Sequence, residues 1–364
     1  MIIYATIVLG FLVFIHEGGH FLAARAFGVR VSEFMLGLPG PSIGFTHGET
    51  RFGVTVVPLG GYARVCGMEP GEMSPHLEAV MAVVYERGTV LMEDVASACG
   101  ISDDEAYRAL EELVEWGTIV GPERKDAYNT YRTPAVKPTR RQIAKALAAG
   151  EEAPANHDKG TSRPLADPHA FYEAEYAQQY RSLPFWKRAV FLVAGITMNL
   201  LFAIFAFVLI YSIIGFDVQN AAGEIQHVTV DPLRALGAGF TYIGMVLQAV
   251  IGLFNPQTVA ETVSNSTSIM GIAVLSKSAA EAGFENFLMF MAMISASLGI
   301  MNLLPIPPLD GGRLVIEIYQ RIRRRVVSPR ALNWLSYVGV ALFMLLFVVM
   351  MNQDIQRFVF GNWG

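Results

Sequence analysis

The chain is a series of long apolar runs broken by one long polar stretch. Unbroken apolar character covers Ile2 to Ala24, Ala189 to Phe216, Phe287 to Leu304 and Leu332 to Met351. Each run approaches or exceeds the roughly 20 residues that cross a hydrocarbon core about 30 Å thick, so four transmembrane helices are predicted. A fifth run, Leu236 to Phe254, is decided by charge asymmetry. Arg25 and Arg30 follow the first helix, Lys187 and Arg188 precede the second, and Arg313, Arg321, Arg323, Arg324, Arg325 and Arg330 lie between the last two. Four spans with both termini outside place all these clusters in the cytoplasm. A fifth crossing would strand the arginine-rich loop outside, so Leu236 to Phe254 reads as a membrane-hugging or partly inserted helix.

The polar interruption changes character along its length. Residues 31–68 are rich in Gly and Pro, with Phe52 to Pro58 reading as a short strand after a Gly-Glu turn. Between His76 and Thr133 the pattern predicts helices at Leu77 to Arg87, Glu93 to Ala98 and Asp103 to Trp116. Ser102 and Glu105 form a capping box for the last of these. Thr118 to Val120 and Ala127 to Arg132 follow as strands, an order that resembles a winged helix-turn-helix domain. Its would-be recognition helix carries Asp103, Asp104, Glu105, Glu111, Glu112 and Glu115 against one Arg108, which repels phosphates and argues against DNA. A sensing or recruiting surface for a cytoplasmic protein or ligand and a plain solvated spacer helix both stay open. Pro134 to Arg181 reads as a linker with some helix near its end.

Composition agrees with a membrane protein that has a soluble portion: of 364 residues, 53% are hydrophobic and 16% charged. The net charge of −5 argues against a dominant nucleic-acid role. Cys66 and Cys99, too few for a disulfide framework, read as free thiols facing a reducing compartment. The first apolar run lacks a basic leader and a small-residue cleavage site, so it is expected to be retained.

Chemistry enters through that first run, which contains His16-Glu17-Gly18-Gly19-His20. Positions four apart share one helix face, so both imidazoles can grip one Zn²⁺ while the carboxylate between them reaches the activated water. HExxH strings arise by chance in soluble helices. Inside a lipid-length apolar segment, ionisable residues mark function. Catalytic zinc takes three protein ligands, and the candidate third is Asp310, in Asn302-Leu-Leu-Pro-Ile-Pro-Pro-Leu-Asp310-Gly-Gly312. By itself Asp310 reads as a surface Asp-Gly turn. The predicted topology brings it to the same depth as His20.

HEGGH in the first helix, Pro58-Leu-Gly-Gly-Tyr62 after it and NLLPIPPLDGG in a late helix together resemble the site-2 protease family of intramembrane zinc metalloproteases, of bacterial type. The resemblance covers roughly residues 1 to 68 and 185 to 351 and leaves out the acidic insert. It implies zinc ligation by His16, His20 and Asp310, Glu17 as general base, and Asn302 as a holder of the substrate backbone. It also implies a membrane-embedded β-hairpin ending at Gly60 and Gly61 that receives the substrate as an added strand, with Asn199 facing the site. The implied substrate is a single-pass membrane protein, cut within its transmembrane segment in regulated intramembrane proteolysis or in clearance of signal-peptide remnants, in a bacterial inner membrane. Two departures stand out. Asp217 to Pro232 leaves no room for the PDZ domain that many members carry, and Gly195-Ile-Thr-Met-Asn199 lacks the proline that often follows the glycine.

The expected fold is therefore a polytopic α-helical membrane protein: four transmembrane helices, a membrane-embedded β-hairpin and a small soluble α/β, winged-helix-like insert. Its expected parts are helix one (1–30), hairpin region (31–75), acidic domain (76–133), linker (134–184), helix two (185–216), external segment (217–283), helix three (284–312), basic cytoplasmic loop (313–330), helix four (331–352) and tail (353–364). A catalytically silent scaffold or sensor keeping this fold is the alternative. A metal transporter would need polar midplane positions that helices two and four do not offer.

Overall fold

The computed structural model describes residues 1–57, 60–68, 71–126, 128–138, 140–150, 152, 155–219, 223–264 and 266–361. Pro58, Leu59 and Ala127, which belong to predicted features, lie outside them. In chain order the first elements are α1 (Ile2–Ala26), β1 (Val31–Leu36), β2 (Ser42–His47), β3 (Thr50–Thr55), β4 (Gly61–Val65), α2 (Leu77–Arg87), β5 (Thr89–Leu91), α3 (Met92–Cys99), α4 (Asp103–Glu115), β6 (Thr130–Arg132), α5 (Arg140–Ala148) and α6 (Pro168–Tyr176). There follow α7 (Phe185–Val208, continued by a π-helical turn to Ile214), β7 (Phe216–Gln219), β8 (Ile225–Val228), α8 (Pro232–Gly252), α9 (Val259–Ser264), α10 (Ile269–Glu281), α11 (Phe284–Asn302), α12 (Asp310–Arg323) and α13 (Pro329–Phe358). They form two compact units, one of residues 1–26, 33–64 and 185–364, the other of 27–32 and 65–184.

Among the described residues of the first unit, five helices are long and apolar enough to cross a membrane: α1, α7 with its π-turn, α8, α11 and α13. Their packing fixes their directions. Val8 and Leu12 of α1 cluster with Met291 of α11, so the first halves of these helices meet, while Phe207 and Ile210 at the end of α7 pack on Leu288 and Ala292 at the start of α11. Hence α1 and α11 run parallel and α7 returns between them. Leu236 to Phe254, expected as a membrane-hugging or partly inserted helix, falls in α8, which has the length and composition of a crossing helix. Near its start α8 lays Gly239 against Ile204 and Phe207, and near its end Val250 clusters with Ile300 and Leu304 of α11. It therefore lies lengthwise beside α7 and α11, parallel to α11. The chain regains the starting end of α11 through α9 and α10, neither of which is of spanning length.

The expected hairpin is part of a larger sheet. β2 and β3 do form an antiparallel pair, turning at Gly48, where φ is +62°. β1 then pairs with β3 in parallel, Glu33 opposite Arg51 through Leu36 opposite Val54, and the strand order is β2-β3-β1-β4. β4 is thus an edge. Ile43, Phe45 and Val56 at the far end are exposed apolar side chains. Two boundaries also change. Asp310 opens a separate helix, α12, rather than ending the third span, and that helix occupies most of the expected basic loop.

The second unit has its own core, built from Leu77, Val80, Met81 and Val84 of α2, Val95 of α3, Leu110 and Leu113 of α4, and Trp116 and Tyr131. The capping box of Ser102 and Glu105 is present. The wing is reduced: Thr118 to Val120 contributes one bridge, Val120 to Arg132, while β6 pairs with β5, a strand the pattern did not show. Phe171, Tyr172 and Tyr176 pack on this core, so α6 is a part of the domain rather than of a linker. Buried Arg30 makes a two-pronged ion pair with Glu175 of α6, at 2.8 and 3.2 Å, and Thr118 adds a hydrogen bond to the same carboxylate at 2.7 Å. Three acids of α4 also have internal partners: Glu111 accepts from the Tyr131 hydroxyl, Glu112 from the Ser74 amide and Glu115 from the Met68 amide. The solvated acidic face thereby shrinks toward Asp103, Asp104 and Glu105.

Candidate metal centre

The buried positions of α1 are Ala5, Val8, Leu12, His16, Gly19, His20 and Ala24, a stripe at helical spacing in which two imidazoles replace apolar side chains. Nothing in an all-apolar helix reveals that face beforehand. Gly19 makes it possible for α7 to sit against it, since a Cβ there would lie 2.5 Å from the Ala194 carbonyl oxygen. Gly195 completes the fit from the other side. A Cβ at Gly195 would fall 2.5 Å from His20 Nε2 and 2.8 Å from His16 Nε2.

Asp310 arrives as the first residue of α12, held by tight packing of Gly311 and Gly312 onto the backbone of residues 303–307. His16 Nε2 and His20 Nε2 lie 3.0 and 3.2 Å from Asp310 Oδ2, and 3.4 Å from each other. Zinc bonds of about 2.0–2.2 Å set tetrahedral edges of roughly 3.3–3.5 Å, so three donor atoms at these separations match one face of a zinc tetrahedron. Among the described residues this is the group of His, Cys, Asp and Glu side chains arranged to hold a metal ion.

The rear nitrogens support the same reading. His20 Nδ1 lies 3.0 Å from the Phe191 carbonyl oxygen, which can only accept, so Nδ1 carries the proton and Nε2 presents its lone pair to the site. His16 Nδ1 lies 3.2 Å from the amide of fully buried Asn199, whose Oδ1 lacks a partner among the described residues. Exchanging the amide's O and N satisfies that oxygen with the Nδ1 proton and leaves His16 Nε2 free to ligate. Asn199 is itself held by α11, where the Ser295 hydroxyl donates to its backbone carbonyl at 2.9 Å. The residues present thus fit zinc by spacing, donor chemistry and tautomer.

The other predicted residues fall around this cluster. Glu17 projects sideways from the histidine stripe and accepts the Ala63 amide proton from β4 at 3.0 Å. Gly61 packs beside it, where a Cβ would lie 2.7 Å from Val13 and 3.4 Å from the Glu17 side chain, and Gly60 turns the chain into β4 at φ +85°. Asn302 is not gathered in; its amide donates to the Leu298 carbonyl one turn back. Sequence reasoning missed Phe191, since a carbonyl contact has no residue signature. It noted Gly195 for an absent proline rather than for the space the imidazoles need.

The model of the family described as Peptidase family M50 matches residues 4–346. The chain belongs to peptidase family M50. Similar M50 relatives include the zinc metalloprotease RasP of Oceanobacillus iheyensis, 27% identical over 446 aligned positions covering 96% of this chain and 97% of the relative. The regulator of sigma-W protease RasP of Bacillus subtilis is 23% identical, covering 98% of each chain, and a putative zinc metalloprotease of Brucella suis is 27% identical, covering 93% of this chain and 90% of the relative. The alignment to the Oceanobacillus relative exceeds this chain's 364 residues, so that relative carries stretches with no counterpart here.

Proposed function

We propose that this M50 protein is a zinc-dependent protease that cuts a transmembrane segment of a single-pass membrane protein inside the lipid bilayer of a bacterial inner membrane. The observation that carries the reading is the triangle of His16, His20 and Asp310, assembled from α1 and α12 among membrane-length helices. Zinc held there supplies Lewis-acid activation of water and of the scissile carbonyl. Glu17 takes a proton from the attacking water; as the C–N bond breaks, it returns that proton to the leaving amine. Asn199 and the Phe191 carbonyl hold the two imidazoles in the ligating tautomer.

A helical substrate must unwind before its amide is accessible, and the freed backbone groups then need partners in a medium that supplies none. The outer edge of β4 offers them, starting at Gly60 and Gly61 and passing Glu17 at Ala63. Asn302 acts on the substrate backbone after moving off its Leu298 contact. Both termini lie outside and the acidic insert lies in the cytoplasm, where Asp103, Asp104 and Glu105 serve gating or recruitment. The physiological role is regulated intramembrane proteolysis or removal of signal-peptide remnants.

Proteomics of membrane fragments in cells carrying Glu17→Gln tests this directly. Uncut single-pass proteins accumulate if the reading holds; identical fragment patterns with zinc still bound would indicate a silent scaffold.

A further inference from the structure

α12 is built inside out for a helix on a protein in water. Its polar Glu317 turns inward, with the side chain 14% exposed, and accepts an ion pair from Arg188 of α7 at 3.0 Å. Its apolar side faces away: Val315, Ile318, Tyr319 and Ile322 recur at i, i+3, i+4 and i+7, and they are 47%, 39%, 50% and 73% exposed. An outward apolar stripe at helical spacing needs a non-aqueous neighbour. α12 is covalently flanked by α11 and α13, both of membrane-crossing length and composition, so the medium beside it is the bilayer boundary.

Charge then identifies the lipid. Arg321, Arg323, Arg324 and Arg325 crowd the end of the helix, all exposed, and among the described residues no carboxylate pairs with them. No Asp or Glu occurs between Ile318 and Met351. A shallow apolar stripe ending in a cluster of guanidinium groups matches anionic phospholipid: acyl chains for the stripe, headgroup phosphates for the arginines.

We propose that α12 is an interfacial anchor that docks on anionic phospholipid and thereby sets the position of Asp310, its own first residue. Asp310 and Ile322 are about 18 Å apart along one continuous helix, which transmits a change of depth or tilt directly to the carboxylate. Gly311 and Gly312, packed onto residues 303–307, leave the start of the helix little freedom to absorb such a change. The effect on Asp310 rests on its reading as a metal ligand; the lipid contact does not.

The test uses full-length protein in nanodiscs of phosphatidylcholine with or without phosphatidylglycerol, comparing the unmodified chain with Arg321→Gln/Arg323→Gln/Arg324→Gln/Arg325→Gln and with the corresponding fourfold Lys variant. Native mass spectrometry counts retained phosphatidylglycerol, and the count is repeated in Glu17→Gln protein, so failure of the lipid contact is distinguished from failure of the protease reading. Preferential retention of phosphatidylglycerol is expected in the unmodified and Lys proteins. It falls by up to about fivefold per arginine in the Gln variant, and loss of zinc to a chelator quickens in parallel. Equal retention by the Gln variant overturns the proposal. So does equal protection of the arginines from phenylglyoxal in discs with and without phosphatidylglycerol.

Discussion

Replacing Gly195 by alanine adds one methyl group at the point where α7 meets both imidazoles. That methyl carbon would lie 2.5 Å from His20 Nε2 and 2.8 Å from His16 Nε2, where nonbonded carbon and nitrogen need roughly 3.5 Å. About 1 Å must be recovered, by tilting the rings or by moving α7 from α1. The Ala194 carbonyl facing Gly19 at the same crossing opposes neither movement but shows how little slack the crossing has. Functional sites tolerate errors of about 0.5 Å, and metal–ligand distances about 0.2 Å. Gly195→Ala should therefore lower zinc affinity by more than about 100-fold and abolish cleavage, with an overpacking cost of about 1–3 kcal/mol. Gly18→Ala and Gly10→Ala are matched controls on α1, since a Cβ at either meets nothing within 4 Å and alanine favours the helix by up to about 1 kcal/mol. The assay is zinc content by elemental mass spectrometry after dialysis against a graded chelator, alongside turnover of a transmembrane peptide. Wild-type zinc retention and turnover in Gly195→Ala would refute the packing argument.

Asn199→Ala removes the partner of His16 Nδ1 and should cost 10–100-fold in zinc affinity, read by chelator competition, with the fold kept by circular dichroism. Ala63→Pro deletes the amide that Glu17 accepts from an edge strand, and should lower kcat while zinc content stays constant. Glu175→Ala leaves Arg30 charged and buried without its ion-pair partner, and should destabilise the insert unit by about 3–5 kcal/mol in urea unfolding followed by Trp116 fluorescence. Asp126 is held well below the ordinary carboxylate range by hydrogen bonds from the Arg132 side chain, then by the Glu123 backbone. A depressed carboxyl stabilises above its unfolded value near 4 and loses that contribution as pH falls below it, so Asp126→Asn should flatten the acid limb of the insert's stability profile below about pH 4.

What was legible in the sequence and what was not divide along physical lines. His16, Glu17 and His20 are local, one turn of one helix, and their cost in an apolar run announces them. Asp310 is 290 residues from His20, and its relevance came from topology and family blocks rather than from its own surroundings. The four-stranded sheet was hidden because β1 joins β3 in parallel, a non-local pairing that leaves no turn signal. From sequence α12 reads as a loop because its run of arginines masks the helical spacing of Val315, Ile318, Tyr319 and Ile322. α6 escapes the insert because its aromatics sit beyond a polar stretch, far along the chain from their partners Tyr85 and Trp116. α8 shows that loop charges say little about how deep a connecting helix lies.

The central claim is that His16, His20 and Asp310 form one zinc site, and zinc-edge X-ray absorption on the purified full-length protein measures it most directly. The expected spectrum has a first shell of nitrogen and oxygen at about 2.0–2.2 Å, with the multiple-scattering signature of two imidazoles, and bound zinc is lost in Asp310→Ala. A sulfur shell near 2.3 Å, placing zinc on Cys66 or Cys99, or full zinc occupancy in Asp310→Ala with an unchanged spectrum, would contradict it.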